Sequence, residues 1–322
     1  MRVLIVGTGS IGRRHMASLR GLVSGVRFDV LREAGRGRDT AGLGEVDMVG
    51  SLDEAIARRP DLMIIASPSS MHLRPLLAAI DSGTPFYAEK PVVTTTQDLQ
   101  VLLQRAARGG LPPNMVGCNL RFLPSLAAVG ALLADGRLGR LVRADFEAGQ
   151  WLPDWRPAQD YRQGYSASRR LGGGVLLDLI HEIDAALWLL GSFEHVNGFA
   201  TRASDLEIDS DDCASLLLVR AGGPLTTVRI DYVSRRPVRR YNFVGDRATA
   251  TWDLRTATLQ LADADEVRTL PLPADAFDVA ATYPAAMREM LAAIDAGRPS
   301  TQPLEEGLRA LATALRVQSI AP

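Results

Sequence analysis

The sequence predicts an α/β chain in two parts: a doubly wound parallel sheet over residues 1–120, then an α+β domain over 121–322 built on an antiparallel, open-faced sheet. Three observations carry that reading. An apolar run, Arg2–Val6, meets the glycine-rich turn Gly7-Thr-Gly9-Ser10-Ile11-Gly12 and a helical pattern to about Leu22, with a second strand at Val26–Leu31. Short apolar runs then alternate with helical stretches up to about Cys118, the βαβ pattern of a parallel sheet. Beyond Asn119 the period becomes two, as in Arg140–Ala148 and Thr227–Val233, which marks strands with one covered and one open face.

The opening strand–turn–helix gives GxGxxG the context of a Rossmann dinucleotide site. Gly7 permits the tight turn, Gly9 lets a pyrophosphate reach the backbone, and Gly12 lets helix and strand close on each other. The helix N-terminus at Ser10 and Ile11 offers N–H groups to phosphate. The end of the second strand meets the adenosine ribose, and here it reads Leu31-Arg32-Glu33, with Arg36 and Arg38 close behind. Arg32 suits a 2′-phosphate and Glu33 a free ribose diol, so the cofactor is NAD or NADP, with NADP favoured.

A strand at Leu62–Ala66 ends in Ser67-Pro68-Ser-Ser-Met-His72 and a helix to about Ser82. Loops at the carboxyl ends of parallel strands line the ligand crevice, which puts Ser67, Pro68 and His72 near cofactor; His72 capping its helix is the alternative. The next short strand runs through Pro85–Ala88 into Glu89-Lys90-Pro91. Proline cannot continue a strand, so Lys90 sits at a bend beyond its carboxyl end, with Glu89 beside the cofactor. Of the 36 lysines and arginines only Lys90 is lysine, which points to a need for a compact ammonium able to release a proton. A helix at about Thr96–Arg108 and a strand at Met115–Cys118 complete this part.

In the second part Val142, Ala144, Phe146 and Ala148 share one face, and Val228, Ile230 and Tyr232 do likewise. Further strands are expected near 213–220, 241–245, 249–254 and 259–262, with helices near 283–296 and 304–317. Between the strands lies Leu171-Gly-Gly-Gly-Val-Leu-Leu-Asp178-Leu-Ile-His181-Glu-Ile-Asp184. The glycines allow a close backbone approach, and Asp178, His181 and Asp184 recur every third residue on one face of the following helix. Leu176, Leu177, Ile180, Ile183 and Leu187 hold that helix down. A histidine flanked by carboxylates is a candidate proton-transfer group; a core histidine is the alternative. Glu182 points off that face and no second histidine joins it, so no metal is expected.

A net charge of −1 excludes a general pull toward nucleic acid or anionic membrane. Cys118 and Cys213 form no CxxC or disulfide framework, and no apolar run reaches the length of a membrane span. A cytoplasmic protein is expected.

GTGSIGRRH, Glu89-Lys90-Pro91, Asn119-Leu-Arg121-Phe122-Leu-Pro124 and GGG…Asp178…His181…Asp184, in this order, resemble the glucose–fructose oxidoreductase / inositol dehydrogenase / rhizopine-catabolism (Gfo/Idh/MocA) family over almost the whole chain. The resemblance implies a Rossmann domain followed by a domain with a large, mostly antiparallel sheet. It implies oxidation of a hydroxyl, or reduction of a carbonyl, on a sugar, polyol or nucleotide sugar with NAD or NADP. By it Lys90 contacts the reacting hydroxyl, often beside a cis Lys–Pro bond, His181 is the acid/base, and Asp178 binds a neighbouring hydroxyl or orients the histidine. Alcohol oxidation needs a hydride acceptor and a base, so the chemistry agrees with Lys90, His181 and Asp178 as the catalytic set.

Asn119, Arg121 and the aromatic-rich stretch with Trp151, Tyr161, Arg162 and Tyr165 are the further substrate-binding candidates. Family members commonly carry a small residue shortly before the histidine, whereas this chain reads Asp-Leu-Ile-His. The 150–167 stretch resembles a subgroup associated with surface-polysaccharide or sialic-like sugars; a packed loop is the alternative. Arg235-Arg-Pro-Val-Arg239-Arg240 either clasps a substrate anion or is a solvated connection. A homodimer or homotetramer is expected, as in the family. Two other readings are a redox-neutral NAD-dependent glycosidase and a non-catalytic sugar or dinucleotide sensor.

Overall fold

The structure, a computed structural model, describes residues 1–32 and 42–320; Glu33, Arg36 and Arg38 lie outside the described residues. The N-terminal elements are β1 (Arg2–Val6), α1 (Ser10–Leu22), β2 (Arg27–Leu31), β3 (Asp47–Val49), α2 (Leu52–Ala57), β4 (Leu62–Ile65), α3 (Leu73–Ser82), β5 (Phe86–Ala88), α4 (Thr96–Ala107) and β6 (Asn114–Val116). Their strands form one parallel sheet in the order β3-β2-β1-β4-β5-β6. Val3, Leu4 and Ile5 of β1 and all four residues of β4 are fully buried, as continuous apolar runs with both faces covered should be. Strand order reverses between β1 and β4, so the loops after these two strands flank the switch point where ligands bind in such sheets.

The remaining elements are α5 (Pro124–Ala134), β7 (Leu141–Gly149), α6 (Val175–Asp178), α7 (Ile180–Leu190), β8 (His195–Thr201), β9 (Cys213–Val219), β10 (Leu225–Asp231), β11 (Val238–Gly245), β12 (Thr249–Asp253), β13 (Thr258–Ala262), β14 (Val267–Thr269), α8 (Val279–Asp295), α9 (Leu304–Ala314) and β15 (Gln318–Ile320). The second sheet has nine strands in the order β14-β13-β12-β11-β7-β10-β9-β8-β15, antiparallel except for the β7–β10 and β8–β15 pairs. Its covered face carries an aromatic core in which Phe146, Tyr241, Phe243 and Trp252 are fully buried. Ring centroids lie 4.7 Å apart for both Phe146–Tyr241 and Tyr241–Trp252. The other face mixes ion pairs, Arg143 with Asp145 and Arg229 with Glu147, with the exposed apolar side chains of Phe199, Leu217 and Leu225. Val142, expected inside with Ala144 and Phe146, is instead 49% exposed. A break in register between Val244 and Gly245 leaves it opposite no partner, so the alternation starts one residue later.

The chain divides into two compact units, Met1–Asn119 with Ala280–Leu311 and Leu120–Val279 with Ala312–Pro322. The sequence expectation assigned all of 121–322 to the second part, so the return of 280–311 to the first unit is a difference. Its cause is the edge strand β6, whose polar groups need partners. The Val116 N–H donates to the Gln302 carbonyl (2.9 Å) and the Leu304 N–H to Asn114 Oδ1 (2.6 Å). Gly307 of α9 lies so close to Val92 and Val116 that a β-carbon there would stand 2.7 Å from a Val116 methyl.

Candidate active site

Gly7 has φ +94°, and a β-carbon on it would stand 2.6 Å from the Ser67 amide nitrogen. Any other residue would be strained there and would push the β4–α3 loop away. A β-carbon at Gly12 would collide with the Gly7 carbonyl oxygen, so this glycine lets α1 close onto the turn. Gly9 behaves differently: its missing side chain faces open space, with no atom within 4 Å. Gly9 is also the N-cap of α1, no side chain caps that helix, and no acidic residue occupies its first turn. An uncapped N-terminus at Ser10 and Ile11, approached over a bare glycine, fits a dinucleotide pyrophosphate. Arg32 leaves the end of β2 and donates from Nε to Thr8 Oγ1 (2.8 Å), which ties the end of that strand to the glycine-rich turn.

Lys90 follows β5 and is partly exposed, and the Lys90–Pro91 peptide is cis. Its neighbours are buried. Glu89 Oε1 lies 2.7 Å from Nε2 of the fully buried His15, whose ring packs on Tyr87 at 4.7 Å. Glu89 therefore turns its carboxylate into the unit instead of presenting it to a cofactor. His72 is also fully buried and makes no side-chain cap of α3. Its Nε2 lies 2.8 Å from the Ser67 carbonyl oxygen and Nδ1 lies 3.1 Å from that of Val92. Direct contact between His72 and cofactor, expected from the sequence, is corrected: its two polar atoms are spent on loop backbones.

The helix expected to carry Asp178, His181 and Asp184 on one face is broken. Leu179, with φ −97° and ψ 32°, separates α6 from α7, so Asp178 ends one helix and His181 begins the next. The carboxylates part company as a result. Asp178 Oδ2 accepts from Ser166 Oγ (2.5 Å) and from the buried Tyr232 hydroxyl (2.9 Å). Asp184, 2% exposed, accepts both arms of Arg121 at 2.6 and 2.9 Å. His181 is half-buried at the head of α7. Next to it the fully buried Glu182 accepts from Tyr241 (3.1 Å) and pairs with Arg239 at 2.7 Å. The glycine run does allow a close approach, and the approaching group is the chain itself: a β-carbon at Gly174 would stand 2.5 Å from Asp211 Oδ1.

Several substrate candidates have partners inside the protein. Asn119 is buried and donates to Thr282 Oγ1 (2.7 Å). Arg121 is committed to Asp184, with only 7% of its side chain exposed, so a substrate-contacting role for it is corrected to a structural one. Tyr165 donates to the Gly172 carbonyl, Tyr161 accepts from the Glu207 N–H, and Arg162 pairs with Asp160 and Glu207. Trp151 carries the Arg235 guanidinium 3.6 Å over its ring. The basic run at 235–240 is thus divided, with Arg235 on Trp151, Arg239 on Glu182 and Arg240 on Asp253. Ser166 and His15 carry no role in the sequence reading, Tyr232 figures there only as a covered sheet position, Glu182 only as a residue pointing off the helix face, and Arg239 only as part of the basic run. His15 lies inside GTGSIGRRH, and its partner is 74 residues away.

A parallel sheet in this strand order, headed by a glycine turn with an open helix N-terminus, defines a dinucleotide-binding α/β protein. A model described as an oxidoreductase family with an NAD-binding Rossmann fold matches residues 1–117, and one for the GFO/IDH/MocA C-terminal domain matches 126–251. The chain belongs to the Gfo/Idh/MocA family of NAD-binding oxidoreductases. It is similar to inositol 2-dehydrogenase 2 of Saccharopolyspora erythraea, with 30% identity over 71% of this chain and 66% of the relative. It is also similar to a 2,7-anhydro-N-acetylneuraminate hydratase of Mediterraneibacter gnavus, with 24% identity over 58% of this chain and 48% of that protein. The matches span about half to two thirds of the length of the first such relatives. A levoglucosan dehydrogenase solved with NADH and levoglucosan shares the fold at a TM-score of 0.83 and 19% identity, covering 98% of this chain and 95% of that one. Among the described residues no helix is long and apolar enough to cross a membrane.

Proposed function

We propose that the chain is an NAD-dependent dehydrogenase or reductase acting on a CH–OH carbon of a sugar or polyol. The observation that carries this reading is Lys90, the sole lysine, partly exposed at the carboxyl end of β5 in an NAD-binding unit. Bound nicotinamide supplies a hydride acceptor or donor. Lys90 polarises the substrate oxygen and stabilises a developing alkoxide, and His181 exchanges the hydroxyl proton. Asp178, supplied with two hydroxyl donors, is kept as an acceptor that orients a neighbouring substrate hydroxyl or the histidine.

NAD is the cofactor supported by the family model, and the cationic Arg32 beyond β2 is what favours NADP as the alternative. Nicotinamide absorbance tests both, with NAD and NADP screened against inositols, levoglucosan, pentoses, hexoses, amino sugars and nucleotide sugars. A signal that needs substrate and disappears in Lys90→Met supports the proposal; undiminished turnover in that variant sinks the role of Lys90. The hydratase relative favours a second reading, a redox-neutral reaction on a sialic-like sugar in which nicotinamide is regenerated each cycle. Substrate conversion by the purified protein with retained NAD and no net absorbance change distinguishes it.

A further inference from the structure

His72 joins two loops that the sequence treats as unrelated. Ser67 is the second residue after β4, and Val92 is the second residue after Lys90. One fully buried imidazole lies between their carbonyl oxygens, 2.8 Å from Ser67 and 3.1 Å from Val92. On its other side Ser67 packs against the dinucleotide turn, since a β-carbon at Gly7 would stand 2.6 Å from its amide nitrogen. The contacts therefore run without a gap from the glycine-rich turn through Ser67 and the His72 ring to the backbone that carries Lys90.

We propose that His72 is a positioning residue that couples the dinucleotide turn to Lys90, so that cofactor seated on Gly7–Gly12 sets the placement of the lysine. The proposal rests on the reading of Lys90 as the group that meets substrate. A ring between two carbonyl oxygens holds both only through N–H donors, and a neutral imidazole has one. Burial, the dominant influence, pushes His72 below its ordinary pKa against the pull of the two carbonyls and Glu89, which favours the neutral ring. A neutral ring donates to one of the two carbonyls and turns its unprotonated nitrogen, an acceptor, to the other, so only one loop is hydrogen-bonded to it at a time. The link is therefore a yielding one, suited to a residue that must settle when cofactor arrives. A glutamine amide nitrogen, like the neutral ring, can donate to one of these carbonyls, and it does so without titrating.

The test uses the full chain, with NADH and NADPH as probes, and reads amide hydrogen exchange by mass spectrometry in peptides covering 7–13 and 89–94. In the wild type, saturating nucleotide should slow exchange in both peptides, the second by roughly fivefold. His72→Leu should keep protection at 7–13 and lose it at 89–94, and His72→Gln should restore it. Persistent protection at 89–94 in His72→Leu overturns the coupling, as does its absence in the wild type with either nucleotide. If His72→Leu does not fold, imidazole nitrogen NMR of the wild type decides, because the chain has only four histidines to assign. The His72 ring is fully buried and out of nucleotide's reach. A shift of its resonances on NADH addition then reports movement through the loops, and no shift overturns the proposal. Turnover does not enter these readouts, so a failed role for Lys90, read from Lys90→Met, is seen separately.

Discussion

The Tyr232 hydroxyl donates to Asp178 Oδ2 across 2.9 Å although 54 residues separate the two in the chain. Burial, and then the negative charge of Asp178, raise the Tyr232 pKa well above that of a free phenol, so it remains a donor throughout the working pH range. A hydrogen bond to a charged group contributes about 1.5–3 kcal/mol. Tyr232→Phe should therefore lower kcat by roughly tenfold or more while leaving NADH affinity in place. Ser166→Ala should act in the same direction and Ser166→Thr should recover most of the loss. Steady-state kinetics beside nucleotide titration checks this, and equal loss of kcat and NADH affinity would count against it.

The Arg121–Asp184 pair has 7% and 3% of its side chains exposed. Removing one member strands a charge in the interior, so Arg121→Ala should cost about 3–5 kcal/mol of stability in urea unfolding. The double change Arg121→Met with Asp184→Leu should cost much less, because no charge is left behind. If instead both versions are equally damaging, the role is not electrostatic.

Gly7 and Gly9 should separate folding from binding. Gly7→Ala places a side chain at φ +94° against Ser67 and should lose about 1–3 kcal/mol of stability together with NADH affinity. Gly9→Ala meets nothing within 4 Å in the protein and should melt near the wild-type temperature while binding NADH at least about tenfold more weakly. A Gly9→Ala protein with normal affinity would move the pyrophosphate elsewhere.

His72 gives a pH-linked stability term. Its folded-state pKa is lowered from 6.5, chiefly by burial. As pH falls through that value the unfolded chain takes up the proton first, so the unfolded state binds more protons and stability declines. The term is fully present above about pH 7 and is lost progressively toward acid. Urea unfolding of His72→Gln and wild type at several pH values between about 7.5 and 5 should show the shallower decline in the variant.

The parts of the fold that could be read directly are those fixed by local pattern. The Arg2–Val6 strand, the Gly7–Gly12 turn and the alternation around Phe146 each need only neighbouring residues to be recognised. The site was harder because its partners are remote. The i, i+3 spacing of Asp178, His181 and Asp184 specifies a shared face only on an unbroken helix, and the backbone at Leu179 ends that continuity. Nothing near Asp184 signals that Arg121, 63 residues earlier, will neutralise it. The Arg235–Arg240 run looks like one basic patch, yet successive residues of a strand point to opposite faces, which sends Arg239 to the buried Glu182 and Arg240 to Asp253. Strand β8 is hard to read because Gly198 falls in phase with the buried Val196 and Ala200 while the apolar Phe199 falls on the open face.

The segment Ala280–Leu311 that rejoins the first unit has a consequence for how the protein is made. A chain emerging from the ribosome presents β1 to β6 long before the residues that cover β6 exist. Asn114 must wait 190 residues for Leu304, and Val116 nearly as long for Gln302, with an edge strand open in the meantime. The parallel sheet is synthesised before the second sheet and is finished only after strands β7 to β14 of that sheet have emerged. A gene fragment ending at Asn119 would encode a sheet with an unsealed edge.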